Sequence, residues 1–80
     1  FTVSVLLPDK PGELVRVAQI IANANGNVIK LDHNQFVSIN RKATVELRIT
    51  IEAFGHEHKD QIVSELEKNG LRPRLVKVNI

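Results

Sequence analysis

Leu7-Pro8-Asp9-Lys10-Pro11-Gly12-Glu13-Leu14 decides how this chain is read, because the hydrophobic period changes across it. Before it, Phe1, Val3, Val5 and Leu7 alternate with Thr2 and Ser4, the period-two pattern of a half-buried strand. Leu6 interrupts the polar face near the strand end. After it, Leu14, Val17, Ala18 and Ile21 recur at helical spacing, and Ile20 and Ala24 widen the stripe. The spacing predicts a helix over 12–25. Pro11 suits a position where a helix needs no N–H, and Gly12 carries no side chain to block an approaching group. The first amides of a helix lack internal partners and carry the positive end of its dipole, so a small carboxylate can sit on such a turn. By itself the stretch also reads as plain strand-to-helix punctuation.

The remaining chain follows the same logic. Asn25-Gly26-Asn27 ends the first helix, since Gly and Asn tolerate a left-handed cap. Residues 27–36 read as a second strand, with Ile29 and Leu31 on the face of Asn27 and His33. Val28, Lys30, Asp32 and Asn34 take the other face. That much polarity suits a sheet edge or an interface. A hairpin turn is expected within Val37–Lys42. Residues 43–53 alternate most cleanly, from Ala43 through Val45, Leu47, Ile49 and Ile51 to Ala53, against Thr44, Glu46, Arg48, Thr50 and Glu52. This is a strand of an antiparallel sheet covered on one side. Gly55 opens a second helix with Ile62, Val63 and Leu66 inward, and Asn69-Gly70 stops it. Residues 71–80 form a last strand of broken phase, explained by a bulge near Leu75 or by an edge position that tolerates Pro73. The order β-α-β-β-α-β makes an α+β fold, a ferredoxin-like four-stranded antiparallel sheet with two helices on one face.

Composition narrows the function. Eighty residues make one small domain, 1–80, with little room for both a core and a deep cleft. Three Phe and no Trp or Tyr leave an aliphatic core. The absence of cysteine removes disulfides, thiolate metal sites and cysteine nucleophiles, and fits a cytoplasmic protein. No apolar run is long enough to span a membrane. Eleven basic and nine acidic residues are scattered, apart from Arg41-Lys42 and the Arg72/Arg74 pair, so a nucleic-acid surface is not expected. The strand over 43–53 also lacks the aromatic platforms on which RNA bases stack. Glu46 and Glu52 read as solvated strand residues rather than an acid–base pair. His56 and His58 flank Glu57 as exposed residues at a helix start, and His33 reads as structural or interfacial. No metal site and no catalytic residue is expected. The chain enters a strand at Phe1, which points to a domain excised from a larger protein.

Asp9-Lys10-Pro11-Gly12-Glu13-Leu14 resembles the D-x-P-G-x-L turn of ACT domains, and Asn27-Val28-Ile29 resembles that family's second signature. The likeness covers essentially the whole chain. Asn25 to Asn34 and Val45 to Glu52 are also similar to the C-terminal ACT domain of threonine dehydratases. The resemblance implies a regulatory domain that pairs edge to edge as a homodimer or higher oligomer. It implies a free amino acid at the interface and a linked catalytic domain under its control. By the same resemblance Asp9, Lys10, Pro11, Gly12, Glu13, Leu14, Asn27, Val28 and Ile29 line the ligand site. Amides near Gly12 then receive the carboxylate, Asn27 offers donors and acceptors, and Asp9 either receives the ammonium or caps the turn. No cofactor is expected in this domain; pyridoxal phosphate would belong to a threonine dehydratase-like catalytic domain. The alternative reading is a purely structural dimerisation module without ligand.

Overall fold

The computed structural model describes residues 1–39 and 42–77, with 35–39, 42 and 43 described by backbone alone. The element order is β1 (Thr2–Pro8), α1 (Glu13–Asn23), β2 (Asn27–Ile39), β3 (Lys42–Glu52), α2 (His56–Lys68) and β4 (Arg74–Val76). The strands form one antiparallel sheet in the order β2-β3-β1-β4, which is the expected ferredoxin-like arrangement. The centre of the expected hairpin turn, residues 40 and 41, and the last residues, 78–80, lie outside the described residues.

Alternation in β1 and β3 sets the layers. Val3, Val5 and Leu7 lie opposite Ile49, Leu47 and Val45, and all six are buried. Val17, Ile21 and Ala24 from α1, Ile62 and Leu66 from α2, and Leu71 close over them. Each fully buried Val, Leu or Ile contributes about 1.5–3 kcal/mol relative to exposure, so this aliphatic layer dominates the domain's stability. Leu14, expected in the α1 stripe, is 41% exposed, and the buried stripe of α1 begins at Val17.

Both helices end in the same way. The amide of Gly26 bonds the carbonyl of Ile21 and that of Asn25 bonds Ala22, while Leu71 and Gly70 repeat the pattern on Leu66 and Glu67. These are paired Schellman closures, with C-terminal carbonyls satisfied from beyond the helix. The left-handed region expected of the Asn25-Gly26-Asn27 stop is occupied at α1. Asn25 takes it, with φ 63°, and Gly26 does not. Gly26 instead serves close packing. A Cβ there would stand 2.8 Å from Ile21 Cγ2 and 3.0 Å from Ile62 Cδ1. At α2 the glycine does take the left-handed position, Gly70 at φ 82°.

Two sequence expectations about strand faces are corrected. A register shift between Val28 and Lys30 makes Ile29 the extra residue of a bulge. Val28 therefore joins the core side with Leu31, while Asn27 falls on the open face with Lys30, Asp32 and Asn34. β4 is a short edge strand that starts just after Pro73, so the proline's missing N–H costs no internal ladder bond.

Candidate functional site

The turn between β1 and α1 is built by its own backbone. The amide of Lys10 bonds the carbonyl of Pro8 at 2.9 Å, and that of Glu13 bonds Lys10 at 3.4 Å. Gly12 is the N-cap at φ 88°, a conformation that a side chain disfavours, and no side chain caps the helix. Pro11 thus sits one residue before the cap rather than in the first helical position. Asp9 does not cap, which removes one of its two expected roles. The amides of Leu14 and Val15 find no acceptor among the described residues, the N-terminus has no side-chain cap, and Glu13 is the acidic residue in its first turn. A Cβ at Gly12 would meet nothing within 4 Å, so the space above the turn is open.

Its flanks are less free. Glu13 accepts from Arg16 Nε at 3.1 Å, and Arg16 also donates to the carbonyl of Asn69 at 3.2 Å. The Glu13 carboxylate is therefore tethered along its own helix and, through Arg16, to the end of α2. Asp9, Lys10, Pro11 and Gly12 are exposed. Val15, which sequence reasoning passed over, is 68% exposed beside Leu14 and adds apolar surface to the turn.

The second signature lies elsewhere. Asn27 pairs with Glu52 across the sheet and donates through Nδ2 to its carboxylate at 3.4 Å. Ile29 is 60% exposed on the bulge. Val28 packs against the core, so of this trio only Asn27 and Ile29 offer side chains to a ligand. Pro8, which leads into the turn, pairs with Thr44. Thr44 and Glu52 are eight residues apart along β3, so the two signatures stand about 26 Å apart at opposite ends of the sheet. One chain does not bring them together. The physical cause is the β-α-β crossover, in which α1 carries the chain back to the opposite end before β2 begins. Among the described residues, no strand lies beside the outer edge of β2.

Elsewhere, the open sheet face holds one correction. Glu46, expected to be solvated, is 9% exposed. It accepts from Ser4 Oγ at 2.5 Å, from Arg48 Nε at 3.2 Å and from Asn34 Nδ2 at 3.5 Å. The Ser4 hydrogen bond, helped by the Arg48 charge, holds its carboxyl below the usual carboxylate range against the opposing effect of desolvation. This is a satisfied polar cluster, and it offers no free acid or base. His58 is also corrected. It is half-buried and bonded at both ring nitrogens, whereas His56 is exposed as expected. Among the described residues, no group of three His, Cys, Asp or Glu gathers to hold a metal ion, and no helix is long and apolar enough to cross a membrane.

The result is a four-stranded βαββαβ layer with a helix start lacking a side-chain cap at one end and a polar strand entry at the other. The ACT domain family model matches residues 1–71, and the chain belongs to that family. ACT domains are regulatory rather than catalytic, and they typically bind amino acids and oligomerise. Among solved structures, the fold is similar to the ACT domain of the prephenate dehydrogenase tyrA from Bacillus anthracis. That match has a TM-score of 0.68 and 19% identity, covering 92% of this chain and 100% of that one. It is also similar to protein BT0572 from Bacteroides thetaiotaomicron, with a TM-score of 0.65 and 22% identity over 91% of this chain. The chain spans 44% of the length of BT0572. Among curated proteins no sequence match was found.

Proposed function

We propose that this domain pairs with a second copy through the β2 edge, binds a free amino acid between the copies, and controls a linked catalytic domain. The observation that carries this reading is the placement of the two signatures at opposite ends of a sheet whose long β2 edge has no neighbouring strand among the described residues. Under a two-fold axis the edge strands run antiparallel. The entry of one β2, with Asn27 and Ile29, then lies beside the end of the other copy where α1 begins. Two half-sites that one chain holds apart are joined, twice, in the pair.

The chemistry suits a zwitterion. Unpartnered amides of Leu14 and Val15 receive the carboxylate, an interaction worth about 0.3–1 kcal/mol at an exposed helix start and up to about 2 when partly buried. Asn27 supplies donors and an acceptor, and Asp9, free of any capping duty, is available to the ammonium. Lys10 adds positive charge beside the carboxylate. Leu14, Val15 and Ile29 offer exposed apolar surface to a ligand side chain. Branched-chain amino acids fit this lining well, with serine and threonine as the polar alternatives. The similarity of Asn25–Asn34 and Val45–Glu52 to threonine dehydratases supports a parent enzyme of that kind, acting in the cytoplasm. Its pyridoxal phosphate would be held by the catalytic domain.

A ligand regulates only by binding two states of the assembly differently. Calorimetric titration with the twenty amino acids, on a sample shown to be dimeric by sedimentation, tests the proposal. Saturable heat for a small subset is expected. Flat titrations of the dimer would leave a structural dimerisation module, and a strictly monomeric domain would remove the interface site.

A further inference from the structure

We infer that His58 is a positioning residue for the entry of β2, acting through the carbonyl of Ala24; its bearing on effector binding rests on the half-site reading of Asn27–Ile29. Its ring lies between two elements that are distant in sequence. Nδ1 stands 3.0 Å from the amide nitrogen of Phe54, and Nε2 stands 2.6 Å from the carbonyl oxygen of Ala24. An amide only donates and a carbonyl only accepts. Nδ1 must therefore be the bare acceptor and Nε2 the protonated donor, so one neutral tautomer satisfies both contacts. The Phe54 ring stacks on the imidazole at 5.3 Å between centroids, with 20° between planes.

The two bonds serve different elements. Phe54 precedes Gly55, the N-cap of α2, so the Nδ1 contact ties the first turn of the helix to the residue just before its cap. Ala24 is the C-cap of α1. The next residue, Asn25, turns left-handed, Gly26 is wedged against Ile21 and Ile62, and Asn27 opens β2. Holding the Ala24 carbonyl therefore sets the origin of the turn from which Asn27 and Ile29 emerge. An open depression of about 630 Å³, lined by Asn25, Gly26, Phe54, Glu57, His58 and Gln61 among others, lies over this joint. The clamp thus adds a hold on the side of the turn that opens to this depression, beside the Schellman bonds and the packing of Gly26 against Ile62.

Two substitutions separate the roles. His58→Asn keeps an acceptor near the Nδ1 position and loses the donor to Ala24. His58→Gln keeps a donor near the Nε2 position. Amide hydrogen exchange in the ligand-free protein is the readout, with Val5 and Leu47 in the sheet centre as the internal standard. In H58N, exchange at Gly26 and Val28 should quicken at least ten-fold against that standard, while H58Q should stay within about three-fold of wild type. Equal behaviour of the two variants, or no local change in H58N, overturns the inference. Nitrogen-15 shifts of the wild-type ring give a second check that needs no variant. A pyridine-like Nδ1 and a pyrrole-like Nε2 are expected, and the reverse tautomer overturns it. Titration with L-isoleucine, L-valine, L-serine and L-threonine completes the test. H58N should weaken binding about ten-fold and H58Q should restore it. Flat wild-type titrations beside a positive exchange result would refute the half-site reading and leave the hold on β2 standing.

Discussion

Gly26→Ala asks whether this glycine is present for space rather than for backbone freedom. The added Cβ would meet Ile21 Cγ2 at 2.8 Å, Ile62 Cδ1 at 3.0 Å and the Ile21 carbonyl oxygen at 3.2 Å. The tip of Ile62 can swing, but Ile21 is fully buried and β-branched, so its χ1 is stiff. Its carbonyl is also held by the Gly26 amide at 2.9 Å. Relief must therefore come from moving the turn itself. Overpacking of this kind costs about 1–3 kcal/mol. Alanine returns about 0.4–1 kcal/mol by restricting the unfolded chain, because Gly26 lies outside the left-handed region. The net loss centres on about 1.3 kcal/mol within a span of about 0–2.6, and the central value lowers Tm by about 5–10 °C for a domain of this size. Thermal melts followed by circular dichroism and calorimetry measure it. Gly12→Ala is the contrasting control. Its Cβ meets nothing, yet φ 88° costs about 1–2 kcal/mol in backbone strain alone. A Gly26→Ala protein melting at or above the wild-type temperature would refute the packing argument.

Gly12→Asp places a carboxylate over the bare helix start, in a conformation that aspartate tolerates better than most residues; it should abolish amino-acid binding in calorimetry while the melt shifts by only about 1 kcal/mol. Persistence of unchanged binding would remove the turn from the site. Ile29→Lys puts a charge on exposed apolar surface at the β2 bulge, so monomer stability should stay within about 0.5 kcal/mol, while sedimentation should show weakened pairing. Glu46→Gln tests the open-face cluster. A carboxyl whose pKa is depressed in the folded state adds stability that is complete above its unfolded pKa and is lost as pH falls through the folded one. Wild type should therefore lose stability between about pH 5 and 3 more steeply than the variant, as followed by urea denaturation. Parallel curves would assign the acid loss to other carboxylates.

Much of the fold is legible in the residues because the inward positions of β1 and β3 alternate without interruption and these strands sit in the middle of the sheet. Their inward faces admit one register only. Edge elements are harder to read. The bulge at Ile29 depends on the partner strand, so counting residues in 27–36 puts Val28 on the wrong face. Gly26 resembles a left-handed cap because its need for close packing is written in Ile62, far along the chain. Glu46 looks solvated until Ser4, Asn34 and Arg48 converge on it from three strands. His58 carries no local signal at all, since one of its partners is a carbonyl on the other helix. The turn at Asp9–Leu14 is recognisable as a motif, whereas the exposure of Leu14 and Val15 depends on how α1 packs on the sheet.

The separation of the two signatures also sets the valence of the domain. In the proposed pair each chain would offer one half-site at each end of its sheet, about 26 Å apart and unable to fold onto each other. Pieces of that kind either close into a ring or run on as a polymer, according to the rotation between neighbours. Antiparallel pairing of β2 edges closes at two, consuming both ends of both chains in one step. No half-site is then left over to recruit a third copy. The effector would occupy both seams of that closure, so dilution that splits the pair would erase the response as surely as removing the amino acid.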